Sequence, residues 1–315
     1  MRRPSLKMNR AMLENQLRSG LSILESNGMQ MPGIQPPENR NALISQMVDS
    51  IRRVEYVSAI RARQVSQNRT DPNDNAFDPI RAAVWHQQNG NNEEASWLVF
   101  LSTHFGKSLD TGWLLIKDIY GCLGNGLWDW QTVSNNPLAL SNWISQNQQI
   151  LRSGRRKFGN HRKYESLTPG KRGWTGAVIE SYVDWVTEHG SHCNLFNDAI
   201  ADAGGDPRLA FNKLYHSMGA VQRFGRTGKF DYLTMISKVG IASIIADQAY
   251  LREATGPLSG AKLLFGGRTS ANINHARLEH MLSEVDVVLQ VGMQVLEDSL
   301  CNWQKTPGRY IRFRG

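Results

Sequence analysis

Three cysteines in 315 residues, Cys122, Cys193 and Cys301, are odd in number, widely spaced and never form a CxxC pair. That spacing argues against a disulfide framework and against a thiolate zinc site, and the three read as reduced thiols of a cytoplasmic protein. No run approaches the ~20 consecutive apolar residues that a membrane-spanning helix needs. The basic start, with Arg2, Arg3, Lys7 and Arg10, has no apolar stretch behind it of the kind a secretory signal carries. Neither secretion nor membrane insertion is expected. The chain also lacks GxxxxGK[ST], a strand-linked GxGxxG, GxSxG and HExxH, so nucleotide-cofactor chemistry, Ser/His/Asp hydrolysis and a zincin centre have no support, and no cofactor or metal is expected. The nearest approach to a ligand cluster, His189 and His192 beside Cys193, reads as a surface turn. Strand-like alternation is scarce.

What the sequence does have is core material and positive charge. Hydrophobic residues make up 40% of the chain, with nine Trp and ten Phe, so the body should fold. Lys and Arg outnumber Asp and Glu by 36 to 28, for a formal charge of +8, and the resulting field attracts polyanions.

Apolar residues at spacings of three and four predict a helix over 41–63, built on Leu43, Ile44, Met47, Val48, Ile51, Val54, Val57 and Ile60. The same period recurs over 94–105, 113–123, 138–151, 176–189, 208–221, 232–236, 241–251 and a long stretch over 271–303. Residues 1–39, with Pro32, Pro36 and Pro37, read as a tail with at most a weak helix followed by a connector, and 40–315 as the folded body. The pattern indicates an all-α fold, with two helical lobes divided near 150–170.

Three stretches bear on chemistry. Residues 152–173, RSGRRKFGNHRKYESLTPGKRG, hold eight Lys or Arg against the single acid Glu165. Interleaved aromatics Phe158, His161 and Tyr164 suit phosphate contacts combined with base stacking, and the alternative is a solvated loop whose aromatics tuck into the core. Arg155, Arg156, Lys157, Asn160, His161, Arg162, Lys163 and Tyr164 are its candidate nucleic-acid contacts. Residues 230–251 place two apolar helical stretches on either side of Lys238-Val239-Gly240-Ile241. This is the outline of a helix-hairpin-helix, with Lys238 and Gly240 at the phosphate, or of a plain αα-turn. The run 254–267, ATGPLSGAKLLFGG, suggests a tight turn with backbone exposed around Gly260.

Six segments together resemble one family: SIRRVEYV with FDPI (50–57 and 77–80), EASWLVFLSTHFGK (94–107), FGNHRKYESL (158–167), FGRTGKFDYL (224–233), TGPLSGAKLLFGG (255–267) and VGMQVLEDSLCNWQK (291–305). They resemble the alpha-glutamyl/putrescinyl thymine pyrophosphorylase family, clade 3, over roughly residues 40–314. The resemblance implies a helix-hairpin-helix DNA glycosylase-like fold around a DNA cleft, with double-stranded DNA carrying hypermodified bases as substrate. Phage relatives are associated with attaching amino acids or polyamines to modified thymine. Bacterial members of the clade include an anti-phage enzyme that excises a glucosylated hydroxymethylcytosine base.

Either reaction requires the target nucleotide to leave the base stack, because neither the adduct nor the glycosidic bond is accessible inside it. Base excision also requires a carboxylate to stabilise an oxocarbenium-like sugar and to activate water. In related glycosylases a catalytic Asp follows the hairpin by about one helix, but residues 254–261 contain no acid, and Ala242 and Ser243 stand where bifunctional members carry a Lys. The expected activity is therefore a monofunctional DNA glycosylase of anti-phage defence, with the amine-attaching transferase as the alternative. Candidate carboxylates are Glu165, ranked first for its cationic surroundings, then Asp231, Asp78 and Asp298.

Overall fold

The computed structural model describes residues 9–312, apart from the side chain of Asn160, and is built from helices. Among the described residues there are fourteen α-helices and only two isolated β-bridges, Ser108 with Gly112 and Ser166 with Trp174. The fold is all-α. No helix is long and apolar enough to cross a membrane. The chain divides into two compact units, one made of the residues up to Tyr56 with those from Ala246 onward, the other of Val57–Ile245. Residues 150–170 lie inside the second unit.

In the first unit, α1 (Arg10–Ser26) begins at Asn9, whose side chain accepts the Met12 N–H, and buries Leu13, Leu17, Leu21 and Leu24 at helical spacing. It packs on α13 (His275–Leu289), so residues read from the sequence as a tail are part of a core. α2 (Pro37–Arg61) starts here and carries the unit boundary within it. Residues 254–267, expected to expose backbone around Gly260, instead form a mostly buried helix, α12 (Gly256–Gly266), against α14 (Met293–Trp303). Gly260 lies against the backbone of Leu300 and Gly33 against that of Leu263, each too close for a Cβ. The long helix expected over 271–303 is two helices, because Gln290 is left-handed (φ 54°) and the Gly292 N–H turns back to Asp286 Oδ1 at 2.6 Å.

The second unit is centred on α4 (Asn92–Phe105), which buries residues on all sides, from Glu94 to Phe105 with little interruption. A helix apolar around its whole circumference belongs in the middle of a bundle. Around it lie α3 (Pro79–Gln88), α5 (Leu114–Tyr120), α6 (Trp130–Asn135), α9 (His192–Asp202) and α11 (Arg226–Val239); α7 (Pro137–Arg152) packs on α8 (Thr175–Thr187), and α10 (Pro207–Ser217) on α9 and α11.

The expected second helix of the 230–251 hairpin is not formed. α11 ends at Val239 with Gly240 left-handed (φ 89°), the Ile241 N–H donating to the Ile236 carbonyl and the Gly240 N–H to that of Ser237, a Schellman stop. Residues 243–250 then run without helix, pinned where Ser237 Oγ donates to the Ile244 carbonyl (2.6 Å) and the Ile245 N–H to that of Pro207 (3.0 Å). Three isoleucines at 241, 244 and 245 gave the apolar spacing of a helix. β-Branched side chains serve an extended strap equally well.

Replacing Gly260 with Ala should force α12 off α14 and lower stability by about 1–3 kcal/mol, the usual cost of overpacking. Denaturant midpoints of the two proteins measure this, and an unchanged midpoint would contradict the close helix contact.

Candidate functional site

Three of the family-like segments meet in the second unit. At the C-terminal end of α4, Gly106 takes φ 66°, and its Cα lies so near Gly159 that a Cβ on Gly159 would sit 2.8–2.9 Å from the Gly106 backbone. Two glycines at the crossing let the Gly159 N–H reach the Phe105 carbonyl at 2.7 Å. This contact fixes the FGNHRKYESL segment, whose next residues form a single helical turn, 160–162. Arg162 is thereby directed inward: its side chain is 9% exposed, and its guanidinium lies 5.5 Å from the ring centre of Phe224. Phe224 itself stacks on Phe100 of α4 (5.3 Å), which stacks on Tyr182 of α8 (3.7 Å).

Beyond Phe224, α11 brings in Asp231. Arg162 Nη2 and Asp231 Oδ2 are 3.8 Å apart, close enough for charge attraction and too far for a hydrogen bond, and Arg162 Nη2 is buried without a hydrogen-bond partner. Gly228 leaves room for the guanidinium, since a Cβ there would stand 3.2 Å from Arg162 Nη1. Burial pulls the Arg162 pKa down while Asp231 and Glu165 pull it up. Asp231 is held in the opposite sense. Half of its side-chain surface reaches solvent, yet surrounding protein desolvates the carboxyl enough to raise its pKa, against the opposing pull of Arg162, Arg226, Lys238 and His161. A solvent-reaching carboxylate of raised basicity among four cationic or protonatable groups is suited to accept a proton or face a developing positive charge.

The other three candidate carboxylates are engaged. Asp78 caps α3, accepting the Ile80 and Arg81 N–H groups on Oδ1 and the Trp113 indole N–H on Oδ2. Asp298, in the first unit, accepts from Ser50 (2.7 Å), Arg53 (2.6 Å) and Asn302 (2.9 Å). Glu165 is gripped by Arg223 through both oxygens (3.1 and 3.3 Å), not by its neighbours Arg162 and Lys163, and its side chain is 7% exposed. Arg223 holds this pose at φ 63°, uncommon for a residue other than glycine.

The basic segment is heterogeneous. Arg156 is paired with Asp118 (2.6 Å) and donates to the carbonyls of Ile150 and Ser153, closing the end of α7. Lys157 pairs with Asp110 at the surface (2.8 Å), and Arg155 and His161 are exposed. Lys163 sits 5.2 Å from the ring centre of Tyr164, which is 72% exposed and presents a face on which a base can stack. Lys238 is half-buried in the last turn of α11, and Gly240 is covered by the Arg61 guanidinium. Asn160 has a side chain outside the described residues.

His192 corrects a reading. It lies fully buried rather than in a surface turn, with Nδ1 2.7 Å from Glu93 Oε2 and Nε2 2.7 Å from Tyr182 Oη, which is 2.9 Å from Tyr232 Oη. Burial would raise the Glu93 pKa, but His192 and two N–H groups at the start of α9 lower it to about 2. An ionised carboxylate only accepts, so His192 carries its proton on Nδ1 and Tyr182 donates to Nε2. Nothing in the sequence singled out Glu93, Tyr182 or Tyr232 as partners of His192. Arg223, Phe224 and Arg226 were also missed as site residues, although FGRTGKFDYL contains the last two and Arg223 directly precedes it.

The fold and site define an all-helical protein with a cation-ringed aspartate. The chain belongs to the alpha-glutamyl/putrescinyl thymine pyrophosphorylase family, clade 3, whose model matches residues 38–315. No curated protein and no solved structure matches the chain.

Because Arg162 lowers the Asp231 pKa, Arg162→Met should raise it further. Carboxyl carbon NMR titration of Asp231 in the two proteins reads the shift, and an unchanged or lower value would separate the two groups electrostatically.

Proposed function

We propose that this protein is a monofunctional DNA glycosylase that excises hypermodified bases, with Asp231 as the carboxylate beneath the sugar of the flipped nucleotide. The observation that carries the reading is the half-open Asp231 carboxyl beside buried Arg162, with Arg226, Lys238 and His161 around it. Family membership supports a DNA substrate with modified thymine or a comparable base. Exposed Tyr164 and the flanking cations Arg155, Lys157 and Lys163 supply stacking and phosphate attraction.

In the proposed reaction the bond from C1′ to the base nitrogen breaks, and the base leaves with the electron pair and takes a proton from solvent. Ionised Asp231 faces the oxocarbenium character that develops on the sugar. It then takes a proton from the water that adds to C1′, leaving an abasic site. Arg162 serves as a positioning residue that acts on DNA through Asp231, since its guanidinium is buried. Glu165, bound by Arg223, holds the loop. Defence against phages whose DNA carries glucosylated or otherwise adducted bases is the corresponding biological role.

The family description favours a second reading, in which an amine displaces pyrophosphate from a modified thymine. The same aspartate would deprotonate the amine, and the surrounding cations would suit the departing pyrophosphate.

Incubation with DNA bearing glucosylated hydroxymethylcytosine or adducted thymine should yield free base and abasic sites. Asp231→Asn should reduce the rate by at least ~100-fold, the usual scale for a positioned acid–base group. The rate should fall as pH drops through a pKa above that of an ordinary aspartate, because proton uptake by Asp231 removes the reactive carboxylate. Release of pyrophosphate with labelled putrescine entering DNA, and no free base, would establish the second reading instead.

A further inference from the structure

Within the second unit a cavity of about 280 Å³ opens where α7 runs into the basic segment. Its floor is apolar, from Leu115, Leu151 and Leu167, and Phe158 lines it while stacking on Phe105 (5.5 Å). Its wall is polar: Arg152, Arg156, Lys171, Glu165, Ser166 and Thr168. Two of these charges are cancelled in place, Arg156 by Asp118 and Glu165 by Arg223. Arg152 donates only to the neutral Thr168 hydroxyl (3.3 Å) among the described residues, and Lys171 is exposed. The cavity therefore keeps the charge of Arg152 and Lys171 over an apolar floor, a chemistry that matches an anion joined to a flat or compact apolar body. Its volume lies just below the ~300–1,000 Å³ range of drug-sized ligand pockets, a size suited to no more than about one nucleotide unit.

We propose that this cavity is a nucleotide subsite separate from Asp231, taking the phosphate of one nucleotide at Arg152 and Lys171 and its base or sugar over Phe158 and the leucines. The ligand chemistry is a nucleoside phosphate, supplied either within a DNA strand or as a free nucleotide, and thymidine nucleotides serve as the probe. The subsite is built on the same loop as the aspartate site, since Glu165 in its wall follows Arg162 by three residues. It does not depend on which bond the protein breaks.

Binding to unmodified DNA tests it without any chemistry. Thr168→Phe fills the cavity and removes no charge; it should weaken binding of an oligothymidylate, of thymidine 5′-monophosphate, or of both, by about 10-fold, the scale of one lost stacking contact. Loss for the oligonucleotide alone identifies an in-strand nucleotide, and loss for the monophosphate alone a free one. Arg152→Ala with Lys171→Ala should reduce the slope of log K against log salt for the oligonucleotide by about one. On the wild-type protein, monophosphate or oligonucleotide should shift amide NMR signals of Phe158 and residues 166–168, a readout that stands if Thr168→Phe fails to fold. Normal affinity for both ligands in folded Thr168→Phe, or shifts that bypass these residues, would overturn the proposal even if base excision is demonstrated; absence of excision with the subsite intact would overturn only the reaction.

Discussion

A guanidinium that has been taken out of water must be held on all sides, and the burial of Arg162 imposes that demand on the second unit. An unpaired buried cation costs several kcal/mol, whereas one placed on an aromatic face beside a carboxylate regains much of that cost. Phe224 supplies the face, Asp231 the charge, and Gly228 the space. The aromatic stack and the loop crossing also tie pieces of chain together. Phe224 is tied to α4 through Phe100, and the Gly106–Gly159 crossing brings Arg162 in from the loop. Removing the ring or the carboxylate leaves the guanidinium in the interior with less compensation.

The same arrangement explains why Asp231 has the chemistry it has. Packed against the Arg162 stack, its carboxyl loses enough hydration for the pKa to rise, while the surrounding cations pull in the opposite direction. Glu165, by contrast, has both carboxylate oxygens occupied by the Arg223 guanidinium. The 3.8 Å gap to Arg162 leaves Asp231 attracted but unbonded. One loop thus carries a carboxylate committed to holding it in place, and three residues earlier the cation that tunes a carboxylate left open.

Much of the helical architecture was legible because apolar spacing reports burial on one face, as in α2, α7 and α8. It fails where burial is not one-sided or where the same spacing suits another shape. The glycine-rich start of α12 resembled a turn, though its small residues serve close packing against α14. Ile241, Ile244 and Ile245 resembled a helix and form a strap after the Gly240 stop. The cationic character of 152–173 was plain from composition, but which of its charges stay available depends on Asp118, Asp110 and Arg223, partners 38, 47 and 58 positions away in sequence. For the same reason Glu165 outranked Asp231 in sequence: local charge density was visible, whereas the packing that singles out Asp231 arises only when α11 meets the loop.

The buried chain Tyr232–Tyr182–His192–Glu93 bears on how rigidly that meeting is held. Tyr232 directly follows Asp231, so the hydrogen bond from its hydroxyl to Tyr182 anchors the helix position next to the open carboxylate. Tyr182 belongs to α8, His192 to α9 and Glu93 to the start of α4, so four elements are joined through three short bonds whose donors all point one way. A satisfied buried network of this kind is specific about geometry, because an altered helix rotation strands a hydroxyl or a ring nitrogen without a partner. The solvent face of α11 presents Asp231 while the adjoining residue locks the helix from within. Preorganisation of this sort is what the role proposed for Asp231 requires, because a carboxylate held in place meets the flipped sugar without first moving.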